Sequence, residues 1–256
     1  MKKKISIITG ASGGLGKEFV ALMSNEKIDE VWCVARNIQK LNMLKKEYGN
    51  KVVSLPLDLS EHESINNIVK ILEKEQPIIT YLINNAGIGE KIGPFRELSL
   101  EKMNGTIQVN CTALAALCTI CIPYMQKGSR ILNISSQSSF QPVPYINLYA
   151  ATKVFVRSFT RALNVELKIT GISATAVCPG WIDTEMIPKT KDGKRIKYPG
   201  LISPKIVAAK ALIDAKKNKD MSICTIYVKF MHLLAKIFPQ KMLMRAWVKS
   251  ISKYIE

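Results

Sequence analysis

Short apolar runs alternate with longer segments of helical periodicity along the first 180 residues of the chain. The apolar runs are nearly continuous and rich in β-branched residues, which is typical of strands buried on both faces. The strand candidates are residues 4–9, 30–35, 51–57, 78–84, 129–135 and 171–178. The helical segments cover about 14–25, 38–48, 61–75, 100–126 and 147–169. This alternation predicts an α/β fold with one Rossmann-like, doubly wound parallel sheet of about seven strands, flanked by helices.

The pattern changes after Pro179. Residues 181–202 are polar and rich in turns, as expected of a substrate loop that covers a pocket. The tail predicts a last strand and a helical C-terminal extension over about 230–256, with two basic amphipathic helices on either side of Pro239. Because no repeat, low-complexity stretch or linker divides the chain, we expect a single domain over residues 1–256.

The chain carries a formal net charge of +17, with 37 basic and 20 acidic residues. Such a charge would suit nucleic acid, an anionic membrane surface or an acidic ligand. Nucleic acid is disfavoured, because the basic residues are scattered and no arginine-rich stripe with interleaved aromatic residues occurs. No apolar run reaches the roughly 18 residues of a membrane span, so no spanning helix is predicted and a cytoplasmic location is expected.

Several smaller signals have simple structural explanations. The six cysteines lie inside apolar runs and are expected to be buried free thiols of a reducing compartment. The CxxC at 118–121 has no second CxxC and no nearby histidine, so it predicts a buried helix face rather than a metal site. The two histidines, His62 and His232, are expected to be solvated. Ser60 and Glu63 have the spacing of a capping box at a helix start.

A glycine-rich turn, TGASGGLG, directly follows the first predicted strand and opens the first predicted helix. Gly10, Gly14 and Gly16 allow the backbone to turn tightly and to approach a ligand phosphate. The N-terminus of the following helix supplies unpaired N–H groups and the positive end of its dipole. The place of the turn therefore indicates a dinucleotide phosphate site rather than a merely flexible turn.

The end of the second strand predicts which nucleotide is bound. In a dinucleotide fold this end faces the adenosine ribose, where an acidic residue would bind the 2′-hydroxyl and repel a 2′-phosphate. The chain has Arg36 at this point. Because a guanidinium binds phosphate oxygens as a fork, NADP(H) is favoured over NAD(H); a solvated surface arginine is the alternative.

These and further motifs, in order along residues 4–215, resemble the short-chain dehydrogenase/reductase family. The others are Asp58–Leu59, NNAG at 84–87, VNCTA, NISSQ, YAATK, and PG followed by Thr184. The resemblance implies a catalytic tetrad of Asn110, Ser136, Tyr149 and Lys153. The cofactor-binding residues that it implies are Gly10, Ser12, Gly14, Leu15, Gly16, Arg36, Asp58, Leu59, Asn85, Ala86, Gly87, Tyr149, Lys153, Pro179, Gly180, Ile182 and Thr184.

Tyr149 and Lys153 lie four residues apart in a predicted helix, so they project from one face into the same cleft. A free tyrosine has a pKa near ~10, and lowering it to about 7 requires ~4 kcal/mol. A cation at about 4 Å, with an effective dielectric constant of ~20, supplies about that much. We therefore predict that Lys153 lowers the pKa of Tyr149, and that the small residues between them leave room for a cofactor.

The resemblance also implies a role for each member of the tetrad. Tyr149 would donate a proton to a substrate carbonyl as NADPH delivers hydride, and would take it back in the oxidative direction. Lys153 would also hydrogen-bond to the nicotinamide ribose. Ser136 would orient and stabilise the carbonyl oxygen. Asn110 would hold a water that links Lys153 to solvent.

The segments after Gly87, Ser136 and Gly180 should wall the substrate pocket. Their large, mostly apolar side chains indicate a hydrophobic ketone or secondary alcohol, such as a steroid, rather than a sugar. The candidate substrate residues are Ser136, Gln141, Val143, Tyr145, Trp181 and Met186, with Ile88, Phe95 and Ile187 beside them.

The tail departs from the family's commonest pattern, in which a Gly-rich turn packs against a partner subunit. We expect a homodimer or homotetramer, with the extension packed over the pocket or a partner; peripheral contact with an anionic membrane is the alternative. Two other functions stay open. One is reduction of 3-oxoacyl chains on acyl carrier protein, which the basic surface would suit and the missing Gly-rich turn opposes. The other is non-catalytic NADP(H) sensing, which the intact tetrad opposes.

Overall fold

A seven-stranded parallel sheet forms the centre of the computed structural model, which describes residues 2–191 and 194–255. Its strands are β1 (Lys4–Thr9), β2 (Glu30–Ala35), β3 (Val52–Pro56), β4 (Ile78–Asn84), β5 (Arg130–Ile134), β6 (Ser173–Val177) and β9 (Met221–Ser222), and the short strands β7 (Thr190–Lys191) and β8 (Lys194–Arg195) pair separately. The strand order is β3-β2-β1-β4-β5-β6-β9. The predicted doubly wound sheet is confirmed, and the six predicted strands end within two residues of their expected bounds.

Helices cover both faces of the sheet. They are α1 (Gly14–Ser24), α2 (Ile38–Tyr48), α3 (His62–Glu75), α4 (Leu100–Ile107), α5 (Leu114–Cys121), α6 (Asn147–Glu166) and α7 (Pro204–Lys216). One face packs with α1, α2 and α7 into a core that includes Ile8 and Phe19. The other face packs with α3, α5 and α6 into a core that includes Ile7 and Leu72. Ile7 and Ile8 serve different cores because side chains alternate along a strand, which explains why β1 is apolar throughout.

A π-helical segment, Gln108–Ala113, joins α4 to α5. The stretch Leu100–Tyr124 is long and apolar enough, by composition alone, to cross a bilayer. Within it, Leu114 and Cys118 are buried in the core beside the sheet, and a core helix passes the same test of length and composition. Cys118 and Cys121 are buried free thiols, as predicted for this helix face.

Three buried polar side chains connect β4, β5 and α6. The Asn84 amide donates to Asn133 Oδ1 at 2.9 Å, and the Asn133 amide donates to Thr160 Oγ1 at 2.9 Å. A buried polar group that loses its partner costs about 1–3 kcal/mol. These hydrogen bonds therefore hold two neighbouring strands in place against the helix that carries Tyr149 and Lys153.

The tail forms a helical extension, as predicted, and it begins slightly earlier than expected. Its helices are α8 (Ile226–Ile237) and α9 (Gln240–Ile255). Val228 of α8 is fully buried and packs against the end of β6. Trp247 of α9 donates its indole N–H to the carbonyl oxygen of Pro144 at 2.9 Å. Both helices are therefore attached close to the carboxyl ends of the strands.

Two local predictions are wrong. The N-cap of α3 is Glu61, and Ser60 Oγ instead donates to Asp58 Oδ1 at 2.8 Å, so a turn around that carboxylate replaces the predicted capping box. His232 is half-buried rather than solvated, and its ring lies on Phe140 with the ring centroids 4.4 Å apart. Burial, together with nearby cationic side chains, lowers the pKa of His232.

Candidate active site

The carboxyl ends of the parallel strands meet at one edge of the sheet, and the predicted motifs follow these ends. The glycine turn follows β1, the NNAG segment ends β4, Ser136 comes shortly after β5, and Pro179 comes shortly after β6. The order of the strands switches between β1 and β4. Open α/β sheets bind their ligands in the crevice at such a switch point. The fold therefore gathers the predicted motifs where a nucleotide would be bound.

The glycine turn after β1 needs glycine at three positions. Gly10 has φ of +62°, which is the left-handed region that L side chains rarely adopt. A Cβ at Gly16 would lie 2.1 Å from Gly10 O, and one at Gly14 would lie 2.7 Å from Thr184 Cγ2. The turn leads into α1, whose N-cap, Gly13, offers no side chain to the first N–H groups of the helix. A compact backbone with helix N–H groups at its end fits a nucleotide phosphate.

Thr9 and Asn85 fix the shape of this turn. Thr9 Oγ1 accepts hydrogen bonds from the backbone N–H of Asn85 at 3.0 Å and of Ala86 at 2.9 Å. The Asn85 amide donates to the carbonyl oxygens of Thr9 at 3.0 Å and Gly10 at 3.1 Å. Asn85, predicted to contact the cofactor, thus holds the turn that would contact it. Thr9 was missing from the predicted site, although its place beside the first glycine could have suggested it.

The remaining predicted residues of the turn differ in exposure. Ser12 is exposed to intermediate degree on the turn, whereas Leu15 is buried in the core. A contact of Leu15 with a nucleotide would therefore come from its backbone. Leu59, predicted to lie beside the adenine, is also a core residue.

Arg36 lies at the carboxyl end of β2, exposed to solvent. Its Nη1 is 3.8 Å from Asp58 Oδ2, and the Arg36 side chain is 73% exposed. An exposed ion pair of this length contributes little, about 0–1 kcal/mol, so it does not commit the guanidinium to Asp58. Arg36 is therefore placed where a charged group on the ribose could bind it.

Three predicted catalytic side chains come together near the glycine turn. They are Ser136, Tyr149 and Lys153. Lys153 is 4% exposed, and its Nζ donates to Ile134 O at 2.8 Å. The same ammonium lies over the Tyr149 ring, 5.6 Å from the centroid. The Ser136 side chain lies close enough to the Tyr149 hydroxyl to act on its pKa. Burial lowers the pKa of Lys153 to about 8, against a weaker opposing effect of nearby Cys111 and Cys178.

Lys153 was predicted to lower the pKa of Tyr149, and this lowering is not found in the structure. Burial raises the pKa of the Tyr149 hydroxyl, and the hydrogen bond from Ser136 acts in the lowering direction. The Lys153 ammonium lies 5.6 Å from the centroid of the Tyr149 ring and is not among the causes that shift the pKa of Tyr149. Ser136 is therefore the neighbour that favours the ionised form of Tyr149 here.

Asn110 lies in the π-helical segment between α4 and α5, next to the cluster. Its Oδ1 accepts from the N–H of Ile88 at 2.8 Å, and its amide donates to Ile88 O at 3.0 Å and Thr152 Oγ1 at 3.1 Å. A Cβ at Gly87 would lie 3.3 Å from Lys153 Nζ and 3.4 Å from Asn110 Oδ1. Asn110 thus connects the segment after β4 to α6, and Gly87 allows that segment to pass close to Lys153.

The segment after β6 returns across the glycine turn. The N–H of Gln137 donates to Pro179 O at 2.7 Å, and a Cβ at Gly180 would lie 2.8 Å from Val228 Cγ2 of α8. Ile182 forms an isolated bridge with Ile202. Thr184 then reaches Gly14, as described above. The four predicted cofactor residues of this segment are therefore held between the turn after β1 and the helical extension.

Comparison with known proteins agrees with this geometry. The pattern described as short chain dehydrogenase matches residues 4–195. The chain is 31% identical over 226 residues to the ketoacyl reductase HetN of Nostoc sp., covering 86% of this chain and 77% of HetN. The chain belongs to the short-chain dehydrogenase family. It is accordingly an oxidoreductase that acts on carbonyl and alcohol groups, and the non-catalytic alternative is dropped.

Solved structures of this family resemble the chain over most of its length. A short-chain dehydrogenase from Sphingobium yanoikuyae, in complex with NADPH, is 26% identical with a TM-score of 0.77, over 94% of this chain and 95% of that one. A serine dehydrogenase complexed with NADP+ is 27% identical with a TM-score of 0.74, over 86% and 93% of the two chains. The nicotinamide nucleotide is therefore supported as the cofactor class.

Glu90 is a residue of this short-chain dehydrogenase that the sequence did not reveal. Its Oε2 accepts from the backbone N–H of Tyr149 at 2.9 Å, in the first turn of α6. The N-cap of α6, Ile146, offers no side-chain hydrogen bond, so a carboxylate from a distant loop takes that place. Burial raises the pKa of Glu90, and the bond from Tyr149 acts against it. Only the three-dimensional structure shows this contact, because Glu90 and Tyr149 lie 59 residues apart in the sequence.

The predicted substrate residues surround the cluster unequally. Val143 packs beside Tyr149 as part of an apolar cluster. The other members are Ile146, Ala150, Ile92 and Trp247. Met186 is exposed but lies against Gly89, where an added Cβ would be 3.3 Å from its Cγ.

Apart from Ser136, the other predicted substrate residues make contacts with other parts of the chain. Trp181 packs on Tyr198 within the substrate loop, with ring centroids 4.7 Å apart. Tyr145 has φ of +68°, and its carbonyl oxygen accepts from the N–H of Gly93 at 3.0 Å. Gln141, Ile88 and Ile187 are partly buried and Phe95 is exposed, without contacts that join them to Tyr149 among the described residues.

We predict that Glu90→Ala destabilises the protein by about 1 kcal/mol, because the first turn of α6 loses its acceptor. Glu90→Gln should cost less, since an amide oxygen can still accept from Tyr149. Urea unfolding at neutral pH measures both. Glu101→Ala, which removes an exposed carboxylate from the first turn of α4, is the matched control. Equal stabilities for Glu90→Ala and this control would contradict the prediction.

The buried ammonium predicts a pH-dependent stability. The folded-state pKa of Lys153 is about 8, below its ordinary value of 10.5, so the folded state binds fewer protons than the unfolded state between these pH values. Its contribution to stability therefore rises with pH across this window. Relative to Lys153→Met, the wild type should gain roughly 2 kcal/mol of unfolding free energy between about pH 7 and 10. Parallel unfolding curves for the two proteins across this range would refute it.

Proposed function

We propose that this short-chain dehydrogenase uses NADP(H) to interconvert a hydrophobic ketone and its secondary alcohol, with Tyr149 as the general acid and base. The observation that supports this most is the convergence of Ser136, Tyr149 and the buried Lys153 beside the glycine turn. The bound nicotinamide would supply or accept the hydride. We also propose one catalytic domain over residues 1–256, in the cytoplasm, as a homodimer or homotetramer.

Side chains of the protein would transfer the proton and stabilise the carbonyl oxygen. Tyr149 would give its proton to the substrate oxygen and become a tyrosinate. Ser136 would donate its single hydroxyl proton to the developing charge on the substrate oxygen. Lys153, oriented by Ile134 O, would present its remaining protons to the ribose and to the water held at Asn110.

NADP(H) is proposed over NAD(H) because of the charge at the end of β2. Arg36 is exposed there, and only a weak ion pair with Asp58 competes for it. A 2′-phosphate could be bound by the guanidinium fork and would be attracted by the net charge of the chain.

An apolar substrate is proposed because the wall beside Tyr149 is apolar. Val143, Ile146 and Ile92 meet Trp247 of the extension at this point. A steroid or another bulky lipophilic ketone would bury its surface here.

Reduction of a 3-oxoacyl thioester is the second candidate. The relative named ketoacyl reductase, with 31% identity, favours it, and the basic surface would suit an acidic carrier. A panel that offers both a carrier-linked thioester and free ketones separates the two candidates.

Tyr149→Phe should reduce NADPH-dependent turnover of the best ketone at least about a hundredfold, because the proton donor is lost. NADPH binding should be retained, since the ring remains. Nicotinamide absorbance measures turnover, and quenching of tryptophan fluorescence measures binding. Tyr48→Phe, at the end of α2 and outside the predicted site, is the control for loss of any phenol. Full activity in Tyr149→Phe would remove Tyr149 from the reaction.

Arg36→Asp should weaken NADPH binding by about a hundredfold while changing NADH binding much less, because it replaces attraction of a phosphate by repulsion. Fluorescence titration with both nucleotides gives the ratio. Arg96→Asp, a charge reversal away from the end of β2, serves as the control for net charge. Equal losses for the two nucleotides would exclude Arg36 from the 2′-phosphate site.

A further inference from the structure

The outer face of α8 is an apolar stripe. Ile226, Phe230, Leu233 and Ile237 are 85%, 54%, 51% and 63% exposed. Their spacing of four, three and four residues places them on one side of the helix along its whole length. Four large apolar side chains in a row, facing solvent on a single helix, form a contiguous patch of the kind that marks a binding surface.

The stripe is not the core face of the helix. Val228, on the opposite side, is fully buried against Phe140 and Cys178. His232, also turned toward the protein, lies on the Phe140 ring. α8 is apolar on both sides, and the residues that the structure describes cover one of them, so the other side suits a second partner.

The surroundings of the stripe carry one sign of charge. Between residues 221 and 255 the sequence contains five lysines, one arginine and no acidic residue. Lys229 and Lys236 lie along one edge of the stripe, and Lys241 and Arg245 lie on the exposed side of α9. None of these four forms an ion pair with any residue that the structure describes.

The helix pair also borders the proposed substrate side of the active site. Val228 contacts the backbone at Gly180, since a Cβ there would lie 2.8 Å from its Cγ2. Trp247 of α9 packs in the cluster that includes Val143 and Tyr149. The helix pair therefore carries the exposed stripe on α8 and contributes Trp247 of α9 to the apolar wall beside Tyr149.

We propose that α8 and the beginning of α9 bind the surface of an anionic lipid bilayer. The apolar stripe would enter the boundary between headgroups and acyl chains, while the lysines and Arg245 would bind the anionic headgroups. A bilayer can bind the apolar stripe and the basic side chains beside it at the same time. A lipophilic substrate could then pass from the bilayer to the wall beside Tyr149.

A second copy of this chain suits the surface less well. A two-fold contact would place the same patch against itself. Lys229 and Lys236 of each copy would then lie near their counterparts, with no acidic residue between positions 221 and 255 of either copy to pair with them. An acidic carrier protein would match the charges but would leave four apolar side chains to be covered by a polar surface.

The test is co-sedimentation of the full chain with vesicles, without substrate, so that its outcome does not depend on the proposed function. The vesicles contain either phosphatidylcholine alone or equal parts of phosphatidylcholine and phosphatidylglycerol. We expect at least about tenfold stronger binding to the anionic vesicles, weakened by added salt because counterions screen the headgroups.

Two sets of variants identify the surface. Phe230→Glu with Ile237→Glu should reduce binding at least tenfold, whereas Val165→Glu with Ile169→Glu, exposed apolar positions around the end of α6, should not. Lys236→Gln, Lys241→Gln and Arg245→Gln together should also reduce binding. Lys45→Gln, Lys46→Gln and Lys74→Gln, exposed and outside the extension, are the charge-matched control. Circular dichroism confirms that each variant is folded.

Several outcomes would overturn the proposal. One is equal binding of the stripe variant and the wild type to anionic vesicles, and another is no vesicle binding by the wild type. Light scattering that shows an oligomer converted to a monomer by Phe230→Glu with Ile237→Glu, without vesicle binding, would assign the face to a second copy. Binding of acyl carrier protein alone, lost in the same variant, would assign it to an acidic protein.

Discussion

The site depends on one constraint: all seven strands of the main sheet run in the same direction. Each strand must be followed by a helix that returns the chain to the other edge, so every loop at the carboxyl edge begins a new crossover. The glycine turn, the NNAG segment, Ser136 and Pro179 occupy four such loops. Side chains from distant parts of the sequence meet there, at the edge of the hydrophobic cores rather than within the sheet. The cores can therefore stay apolar while the edge carries the chemistry.

Within that edge, α6 carries the reactive side chains and is fixed from several sides. Its first turn is held by Glu90, its middle by Asn110 through Thr152, and its buried face by Asn133 through Thr160. A helix so restrained keeps Tyr149 and Lys153 at a constant relation to Ser136. Catalytic groups need to be held in this way, because small displacements of reacting groups reduce rates strongly.

The sequence allowed the fold to be predicted well, because apolar runs and helical periodicity are local signals. β1, β2 and β4 begin and end at their predicted residues, and the spacing of Tyr149 and Lys153 correctly placed both on one helix. The errors concern contacts that local patterns do not encode. Ser60 binds a carboxylate two residues earlier instead of capping α3. Glu90 reaches a helix 59 residues away. Burial raises the pKa of Tyr149, and the depth of burial of one hydroxyl is not given by the spacing of residues along the sequence.

The chain of hydrogen bonds from Asn84 through Asn133 to Thr160 also restricts which alternative structures the sequence can form. Most side chains of β4 and β5 are apolar, so a slide of one strand along the other by two residues would keep many apolar surfaces in contact. Such a slide would separate the two amides and leave both without partners inside the protein. Burial of the apolar residues stabilises several registers of β4 against β5, whereas the amide hydrogen bonds form in only one register. Substituting all three by apolar residues of similar size would accordingly yield a sheet that is stable but no longer unique in its alignment.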